Sequence, residues 1–191
     1  MKNLSDLEII ESVLRGNHSD FSLLINRYKN KAFSLLKRML KNEMEAEEVL
    51  QDCFLKAFNG LKNFKHESKF STWFYRIVYN SALSKLSVQK RKITNEMSSI
   101  DDHLDLFDEE DFKDSEKKDF SRFLIELIEK LPEKYSAVIS MFYLEEMSCE
   151  EISDVMHTSV SNVKVMLYRS RNALKEIVVK NNYLEELLWL S

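Results

Sequence analysis

Residues 62–80 read KNFKHESKFSTWFYRIVYN, and the basic run Lys90-Arg91-Lys92 follows them. Between residues 62 and 92 there are eight basic side chains and one acidic one, although the whole chain has a net charge of -4. Aromatic rings are interleaved with these cations, and such a mixture holds phosphates by charge and stacks bases on rings. We therefore expect this stretch to contact single-stranded DNA.

From Phe70 onward the apolar residues recur at the period of an α-helix. The face expected to be buried carries Phe70, Trp73, Phe74 and Ile77. The opposite face carries Thr72, Tyr75, Arg76, Tyr79 and Leu83, with Asn80 on the flank. Solvent alone gives no reason for two tyrosines, so we expect a partner to cover them. A purely structural role for the rings and a solvated face for the lysines are the alternatives.

The composition predicts an all-α protein. The 191 residues include two glycines and one proline, which leaves little turn chemistry for hairpins and favours long helices. This length fits two small helical domains better than one large one. The N-terminus has no apolar run typical of a signal peptide, and no stretch is long and apolar enough to insert into a membrane. We expect a soluble, cytoplasmic protein.

Metal and enzyme chemistry have little support in the sequence. Cys53 and Cys149 are isolated, and the four histidines lack ligand spacing, so neither a disulfide framework nor a zinc site is predicted. With two glycines a phosphate-cradling loop is excluded, and the common hydrolase and nucleotide-binding motifs are missing. No catalytic residue, metal or cofactor is therefore assigned.

The first part of the chain predicts three helices before the basic aromatic one, over residues 4–15, 20–40 and 43–59. Ser5 and Glu8 have the spacing of a capping box that opens the first of them. On the second helix we expect the basic side chains to point to water, namely Lys29, Lys31, Lys37, Arg38 and Lys41. The third has an acidic face that suits the helix dipole, and a docking surface for a basic partner is the alternative interpretation.

The charge pattern divides the chain into domains. Residues 101–119 contain ten acidic and three basic side chains, a composition that is poor in core-forming residues and typical of a linker. We therefore predict an N-terminal domain over 1–95, an acidic linker over 96–119 and a C-terminal domain over 120–191. Without the linker the remainder of the chain is net positive.

The last third of the chain has helix-turn-helix spacing. Ser148 and Glu151 form a capping box that opens a short helix, three residues turn the chain, and a further helix starts at Val160. The second helix of such a motif enters the major groove, and its N-terminal residues reach base edges. Arg169 and Arg171 suit phosphate contacts. A plain three-helix packing unit is the alternative.

Set together, these stretches resemble the extracytoplasmic-function (ECF) group of bacterial RNA polymerase sigma factors. Residues 45–58 are similar to the part of the family's second region that docks on polymerase, and residues 61–80 to the segment that opens the minus-ten element and captures a flipped base. Residues 131–135, 150–152, 163–164 and 168–171 are similar to its fourth region, which reads the minus-thirty-five element as duplex.

The resemblance implies a sigma factor that binds RNA polymerase core, through its clamp coiled coil and flap, and directs initiation at promoter DNA. An anti-sigma factor is a candidate regulator. The residues implied for polymerase docking are Glu48, Gln51, Asp52 and Leu55. Those implied for the minus-ten single strand are Phe64, Lys65, Ser68, Lys69, Phe70, Thr72, Trp73, Arg76 and Asn80. Those implied for the minus-thirty-five duplex are Ser159, Ser161, Asn162, Lys164, Val165, Tyr168, Arg169 and Arg171.

Three sites depart from the usual residues of that family. His157 stands where the family often has glycine in the turn, and Ser161-Asn162 replaces a usual Gly-Thr. Val165-Met166 replaces a usual Ser-Arg. An arginine can pair with guanine, whereas valine or methionine offers only an apolar contact, as to a thymine methyl group. The family's promoter consensus therefore cannot be transferred to this chain.

A stand-alone helix-turn-helix transcriptional regulator is the alternative function. Its N-terminal domain would serve dimerisation or sensing. The basic aromatic stretch argues against this, because a protein that binds only duplex needs no platform on which bases stack.

Overall fold

A computed structural model describes residues 4–96 and 120–180, with side chains omitted from description at 92–96 and 120–122. Within these ranges the chain is helical and has no strand, so the all-α prediction is confirmed. The helices are α1 (Asp6–Leu14), α2 (Phe21–Leu40), α3 (Glu43–Gly60), α4 (Phe70–Glu96), α5 (Phe120–Glu129), α6 (Glu133–Tyr143), α7 (Cys149–Met156) and α8 (Val160–Lys180). Short 3-10 helices at His18–Asp20 and Leu61–Asn63 precede α2 and follow α3. Beyond its first residue, the predicted acidic linker lies outside the described residues.

Local sequence signals set the helix starts. At α1 the Ser5 hydroxyl accepts the Glu8 amide at 3.3 Å, and the Glu8 carboxylate accepts the Ser5 amide at 2.7 Å. The same reciprocal pair joins Ser148 and Glu151 at α7, with distances of 3.1 and 2.9 Å. Both predicted capping boxes are therefore present, and they satisfy amide groups that a helix start leaves free.

The N-terminal core lies where α2, α3 and α4 pack together. Leu35, Leu36, Cys53 and Phe74 are fully buried there. The Phe54 and Phe74 rings stack with their centroids 4.8 Å apart. This core fixes α3 and α4 side by side and thereby presents the start of α4 at the surface.

The C-terminal half is the predicted helix-turn-helix unit. Val138 of α6, Ile152 and Val155 of α7, and Val163 and Leu167 of α8 form its buried centre. Between α7 and α8 the chain turns at His157, which adopts the left-handed conformation with φ 49 and ψ 52. The turn therefore has the backbone that glycine favours, without a glycine.

The two halves pack against each other, α2 against α6 and α4 against α7. Two expectations fail here for that reason. Arg38, expected to point to water, is 3 % exposed, and its Nε donates to the Ser140 hydroxyl at 2.8 Å. Tyr75 was expected to be covered by another molecule. It is buried within the chain, and its hydroxyl donates to the Glu145 carboxylate at 2.6 Å. The partner that covers Tyr75 is the C-terminal half of the same chain.

Across the described ranges, none of the helices has the length and apolar character that crossing a bilayer requires.

Candidate nucleic-acid interface

A surface cleft of about 410 Å³ opens where the loop after α3 meets the start of α4. That volume lies in the range of roughly 300–1,000 Å³ usual for small-molecule sites, which is enough to admit a nucleobase. Six of the nine predicted single-strand residues line it: Phe64, Lys65, Ser68, Thr72, Trp73 and Arg76. Asn63, Glu67 and Asp154 complete the lining. We call this the loop cleft.

Aromatic packing shapes the inner wall of the loop cleft. The Trp73 ring lies 5.2 Å from the Phe64 ring, between their centroids, and it is only partly buried. A β-carbon at Gly60 would come within 3.1 Å of the Trp73 ring. Gly60 is the last residue of α3 and has an ordinary φ of -83. The structure adds that its missing side chain leaves room for Trp73.

Polar groups in the loop cleft suit a base and its phosphate. The Thr72 hydroxyl is buried, and among the described residues it has no hydrogen-bond partner. A buried hydroxyl without a partner costs free energy that a base edge would recover on binding. Lys65 is exposed and Arg76 half-buried at the same cleft, so two cations lie where a backbone phosphate would approach.

The C-terminal half contributes acidic groups to this site. Asp154 of α7 lines the loop cleft itself. Beside it, the Lys69 Nζ lies 2.9 Å from Glu151 Oε1. Burial pushes the pKa of Glu151 up, but the Ser148 amide and Lys69 outweigh it and hold that pKa below its ordinary value. Glu151 is therefore ionised at neutral pH. It forms an ion pair with Lys69, a residue that was predicted to contact DNA.

Of the nine residues predicted to contact single-stranded DNA, three are not part of the lining: Lys69 lies beside the loop cleft, and Phe70 and Asn80 lie away from it. Phe70 is 2 % exposed and stacks on Phe74 at 5.9 Å, so it supports the loop cleft from within the core and does not offer its ring to a strand. Asn80 is exposed nearly three turns along α4 and is not part of the lining. Phe64 is also largely buried, with one side forming the cleft wall.

The four predicted docking residues form one exposed stripe on α3. Glu48, Gln51, Asp52 and Leu55 are spaced three and four residues apart, and all four are exposed, with Leu55 at 62 %. Lys85 of α4 donates to Glu48 at 2.8 Å and lowers the pKa of that carboxyl group. The stripe combines charge with an exposed leucine, which suits a protein partner.

Helix α8 presents its polar face to solvent. The residues that are exposed there are Ser159, Ser161, Asn162, Lys164, Val165, Tyr168, Arg169 and Arg171. Met166 instead packs against the core, so of the Val165-Met166 pair only Val165 is available to DNA.

Several of these side chains are already positioned. Ser159 caps α8, because its hydroxyl accepts the Asn162 amide at 3.1 Å. Arg171 Nε donates to the Tyr143 hydroxyl at 2.8 Å, and its guanidinium also lies over that ring. Such contacts restrict the position of the Arg171 guanidinium.

Comparison with known proteins decides between the two functions left open above. The family Sigma-70 region 2 matches residues 24–92, and the family Sigma-70, region 4 matches residues 123–174. The ECF RNA polymerase sigma-E factor of Haemophilus influenzae is 32% identical over 184 residues, which are 91% of this chain and 95% of that protein. The chain belongs to the ECF sigma factors.

The sigma factor SigW of Bacillus subtilis is a further relative, 31% identical over 87% of this chain and 93% of its own length. This ECF sigma factor accordingly binds RNA polymerase and directs transcription initiation at promoters, and the stand-alone regulator is not favoured. Its relatives are sigma factors rather than enzymes.

Two solved structures share the fold of this sigma factor. CnrH in complex with the cytosolic domain of CnrY has a TM-score of 0.62 at 20% identity, covering 90% of this chain and 96% of that one. The sigma factor RpoE of Bartonella quintana in complex with the anti-sigma factor NepR has a TM-score of 0.65 at 17% identity, covering 83% and 96%.

Sequence reasoning missed three contributors to the interfaces of this sigma factor. Glu151 was recognised as a capping residue within a stretch similar to the fourth region and not as a partner of Lys69, and Asp154 and Tyr143 carried no signal. Their contacts join residues that are distant in sequence, so no local pattern could have indicated them. The glycine at position 60, beside an aromatic-rich stretch, was the one local hint that a ring approaches the backbone there.

Proposed function

We propose that the loop cleft is the site at which this sigma factor captures a base of the separated minus-ten strand. The observation that carries the proposal is the convergence of six predicted residues on one cleft that contains an unpartnered buried hydroxyl. Trp73 supplies the stacking surface, Thr72 the hydrogen bond, and Lys65 and Arg76 the phosphate contacts. Lys69 and Asn80 extend the path of the strand along α4.

The remaining surfaces divide the other tasks. The α3 stripe docks on the clamp coiled coil of polymerase core, the C-terminal domain contacts the flap, and α8 reads the minus-thirty-five duplex. The proposed functional units are residues 1–95 and 120–191, joined by the acidic segment 96–119. An anti-sigma factor is a proposed partner, since the solved relatives CnrH and RpoE are held by CnrY and NepR. Because the protein acts together with RNA polymerase, we propose that it is located in the cytoplasm.

The energetics indicate that this sigma factor does not open DNA by itself. Stacking one base on an aromatic ring contributes about 1–3 kcal/mol, whereas each duplex step lost costs about 1.4 kcal/mol on average. One captured base cannot offset a bubble of many steps, so polymerase core must hold the parted strands. If purified protein without core made promoter thymines reactive to permanganate, this mechanism would be wrong.

A pull-down of polymerase core by the purified protein, followed by transcription from a random-promoter library, tests the assignment. We expect core to be retained and a subset of promoters to start transcription only when the protein is added. The holoenzyme with Lys65→Ala/Arg76→Ala should then bind those promoters but leave their minus-ten thymines unreactive to permanganate. Equal reactivity with wild type and variant would remove the loop cleft from the mechanism.

A further inference from the structure

We propose that the segment after α8, residues 181–191, docks in a second cleft that lies further along α4 than the loop cleft. The second cleft forms where residues 83–91 of α4 meet Glu133 and Lys134 at the start of α6, and its volume is about 420 Å³. None of the residues proposed for polymerase docking or DNA binding lines it. The inference is therefore independent of the minus-ten role of the loop cleft.

The floor of the second cleft is apolar. Leu83 and Leu86 pack against the core on one side, and they remain half-exposed in the cleft on the other. Leu83 lies on the face of α4 for which the sequence predicted a covering partner. Tyr75 on that face is covered by the C-terminal half of the chain, whereas Leu83 still lines an open cleft. Apolar surface in a concave site favours a ligand with apolar side chains.

The rim of the second cleft is cationic. Lys90, Arg91 and Lys134 line it and are exposed, and Glu133 is the one acidic residue among the described lining. The lining thus has a net charge of about +2. Charge complementarity selects a ligand that adds a small negative charge to its apolar side chains.

The end of the sequence combines these two properties. Residues 183–190 read YLEELLWL, in which six of eight side chains are apolar and the other two are glutamates. The acidic segment 101–119 matches the cleft in charge, but only four of its nineteen residues are apolar leucine or phenylalanine. The apolar floor therefore favours the segment after α8 as the occupant.

This segment is long enough to reach the second cleft. The Ser170 hydroxyl of α8 lies 3.5 Å from the carbonyl oxygen of Tyr135, the neighbour of Lys134. From Ser170, α8 continues for ten residues to Lys180, or about 15 Å. The eleven residues that follow span up to about 36 Å when extended, which is enough to turn back to the cleft.

A tethered segment needs only a weak contact to stay docked. Exposed ion pairs contribute little on their own, so the leucines supply the attraction and the charges select the segment. A short tether gives an effective concentration in the millimolar range. More than half of the chains are docked once the dissociation constant of the contact lies below that concentration.

Trp189 reports docking, because Trp73 is the only other tryptophan in the sequence. The full chain labelled with 5-fluorotryptophan gives one fluorine NMR resonance for each, and Trp189→Phe assigns them. The difference in resonance position between ordinary and heavy water grows with solvent exposure. We expect this difference at Trp189 to be at least about twofold smaller in buffer than in urea. Equal differences in the two solvents would overturn the proposal.

Charge exchange tests the cleft as the site. Arg91→Glu/Lys134→Glu reverses the rim charge at exposed residues, so we expect Trp189 to show the same solvent difference as in urea. The control Lys29→Glu/Lys62→Glu makes the same charge change at exposed residues outside the lining and should keep the small difference. Adding Glu185→Lys/Glu186→Lys to the cleft variant restores opposite charges and should restore docking. An unaffected cleft variant, release in the control or failure of this rescue would each refute the site.

Photocrosslinking locates the segment directly. The full chain with p-benzoylphenylalanine in place of Trp189 is irradiated as an equal mixture of unlabelled and heavy-nitrogen-labelled protein, and the peptides are identified by mass spectrometry. We expect cross-links to residues 83–91 or 133–134 of the same chain. Cross-links between labelled and unlabelled chains would assign the cleft to a second copy, and cross-links to α7 or to the acidic segment would place residues 181–191 elsewhere. Either result would overturn the proposal.

Discussion

His157 is the residue on which the turn of the helix-turn-helix depends. Its φ of 49 and ψ of 52 lie in the left-handed region, and its amide donates to the Ser153 carbonyl to close α7. A side chain with a β-carbon is disfavoured in that region by about 1 kcal/mol, whereas glycine enters it freely. The chain therefore carries a small strain at the position where the family often has glycine.

We expect His157→Gly to raise the free energy of unfolding by about 0.5 kcal/mol, since relief of strain exceeds the entropy that glycine adds to the unfolded chain. Urea unfolding followed by circular dichroism measures the change. His157→Ala is the matched control, because it removes the imidazole and keeps the β-carbon, and it should give no gain. A glycine variant no more stable than the alanine variant would refute the strain.

Val165 is the exposed apolar residue where the family usually has serine, and its exposure is 44%. An apolar contact with a thymine methyl group would give it a role in reading the minus-thirty-five element. Replacing thymine by deoxyuridine removes that methyl group and leaves the pairing edge intact.

We expect one thymine-to-deoxyuridine change in the minus-thirty-five element to weaken wild-type holoenzyme by about fourfold, which corresponds to about 0.8 kcal/mol for one buried methyl group. Val165→Ala should lose that sensitivity, while Lys164→Ala should weaken binding to both DNAs alike. Affinity measured on duplexes from selected promoters decides this. Equal sensitivity in wild type and Val165→Ala would assign the methyl contact elsewhere.

Helix α4 illustrates how far sequence patterns reach at the scale of an element. Its start at Phe70 and its buried Phe70, Phe74 stripe were predictable, because both follow from residues a few positions apart. The burial of Tyr75 was not, since its partner Glu145 lies 70 residues away in the chain. For Arg38 of α2 the separation from Ser140 is 102 residues. The helical period of apolar and polar residues alone cannot distinguish a helix face exposed to solvent from a face that packs against another domain.

Helix α3 carries the prediction for polymerase binding. Gln51→Ala/Asp52→Ala removes two exposed polar groups from the docking stripe and leaves the core of α3 intact, so we expect core affinity to fall by about tenfold while stability changes by less than about 0.5 kcal/mol. Fluorescence titration with core and urea unfolding give the two quantities. Asn80→Ala, an exposed change on α4, should leave core affinity unaltered. Parallel losses in both variants would contradict separate docking and strand surfaces.

At the scale of the whole molecule, the pH dependence of stability reports the ionised Glu151 carboxylate, which is stabilised by the Ser148 amide and by Lys69. The pKa of Glu151 is lower in the folded chain than its ordinary value of 4.5, so its contribution is present above that pH and is lost as the pH falls through the folded value. We expect wild type to be more stable than Glu151→Gln at pH 7, with the difference shrinking as the pH falls below 4.5 and lost once the pH is below the pKa of Glu151 in the folded chain. Urea midpoints across this range measure it, and a difference that persists in acid would exclude the charge of the Glu151 carboxylate as its source.

The packing of α7 on α4 also limits the distance between the two surfaces that are proposed to bind DNA. Helix α8 follows α7 directly and has 21 residues, so it extends about 32 Å from that contact. The two promoter elements are named for their positions, minus ten and minus thirty-five, so they lie about 25 base pairs apart. This is roughly 85 Å along a duplex at about 3.4 Å per base pair. Because about 85 Å is much longer than the reach of α8, a chain whose halves are packed together can contact only one promoter element at a time. If both elements are contacted at once, we expect the two halves to be separated, and the distance at which polymerase holds them apart would then determine the promoter spacing that this protein recognises.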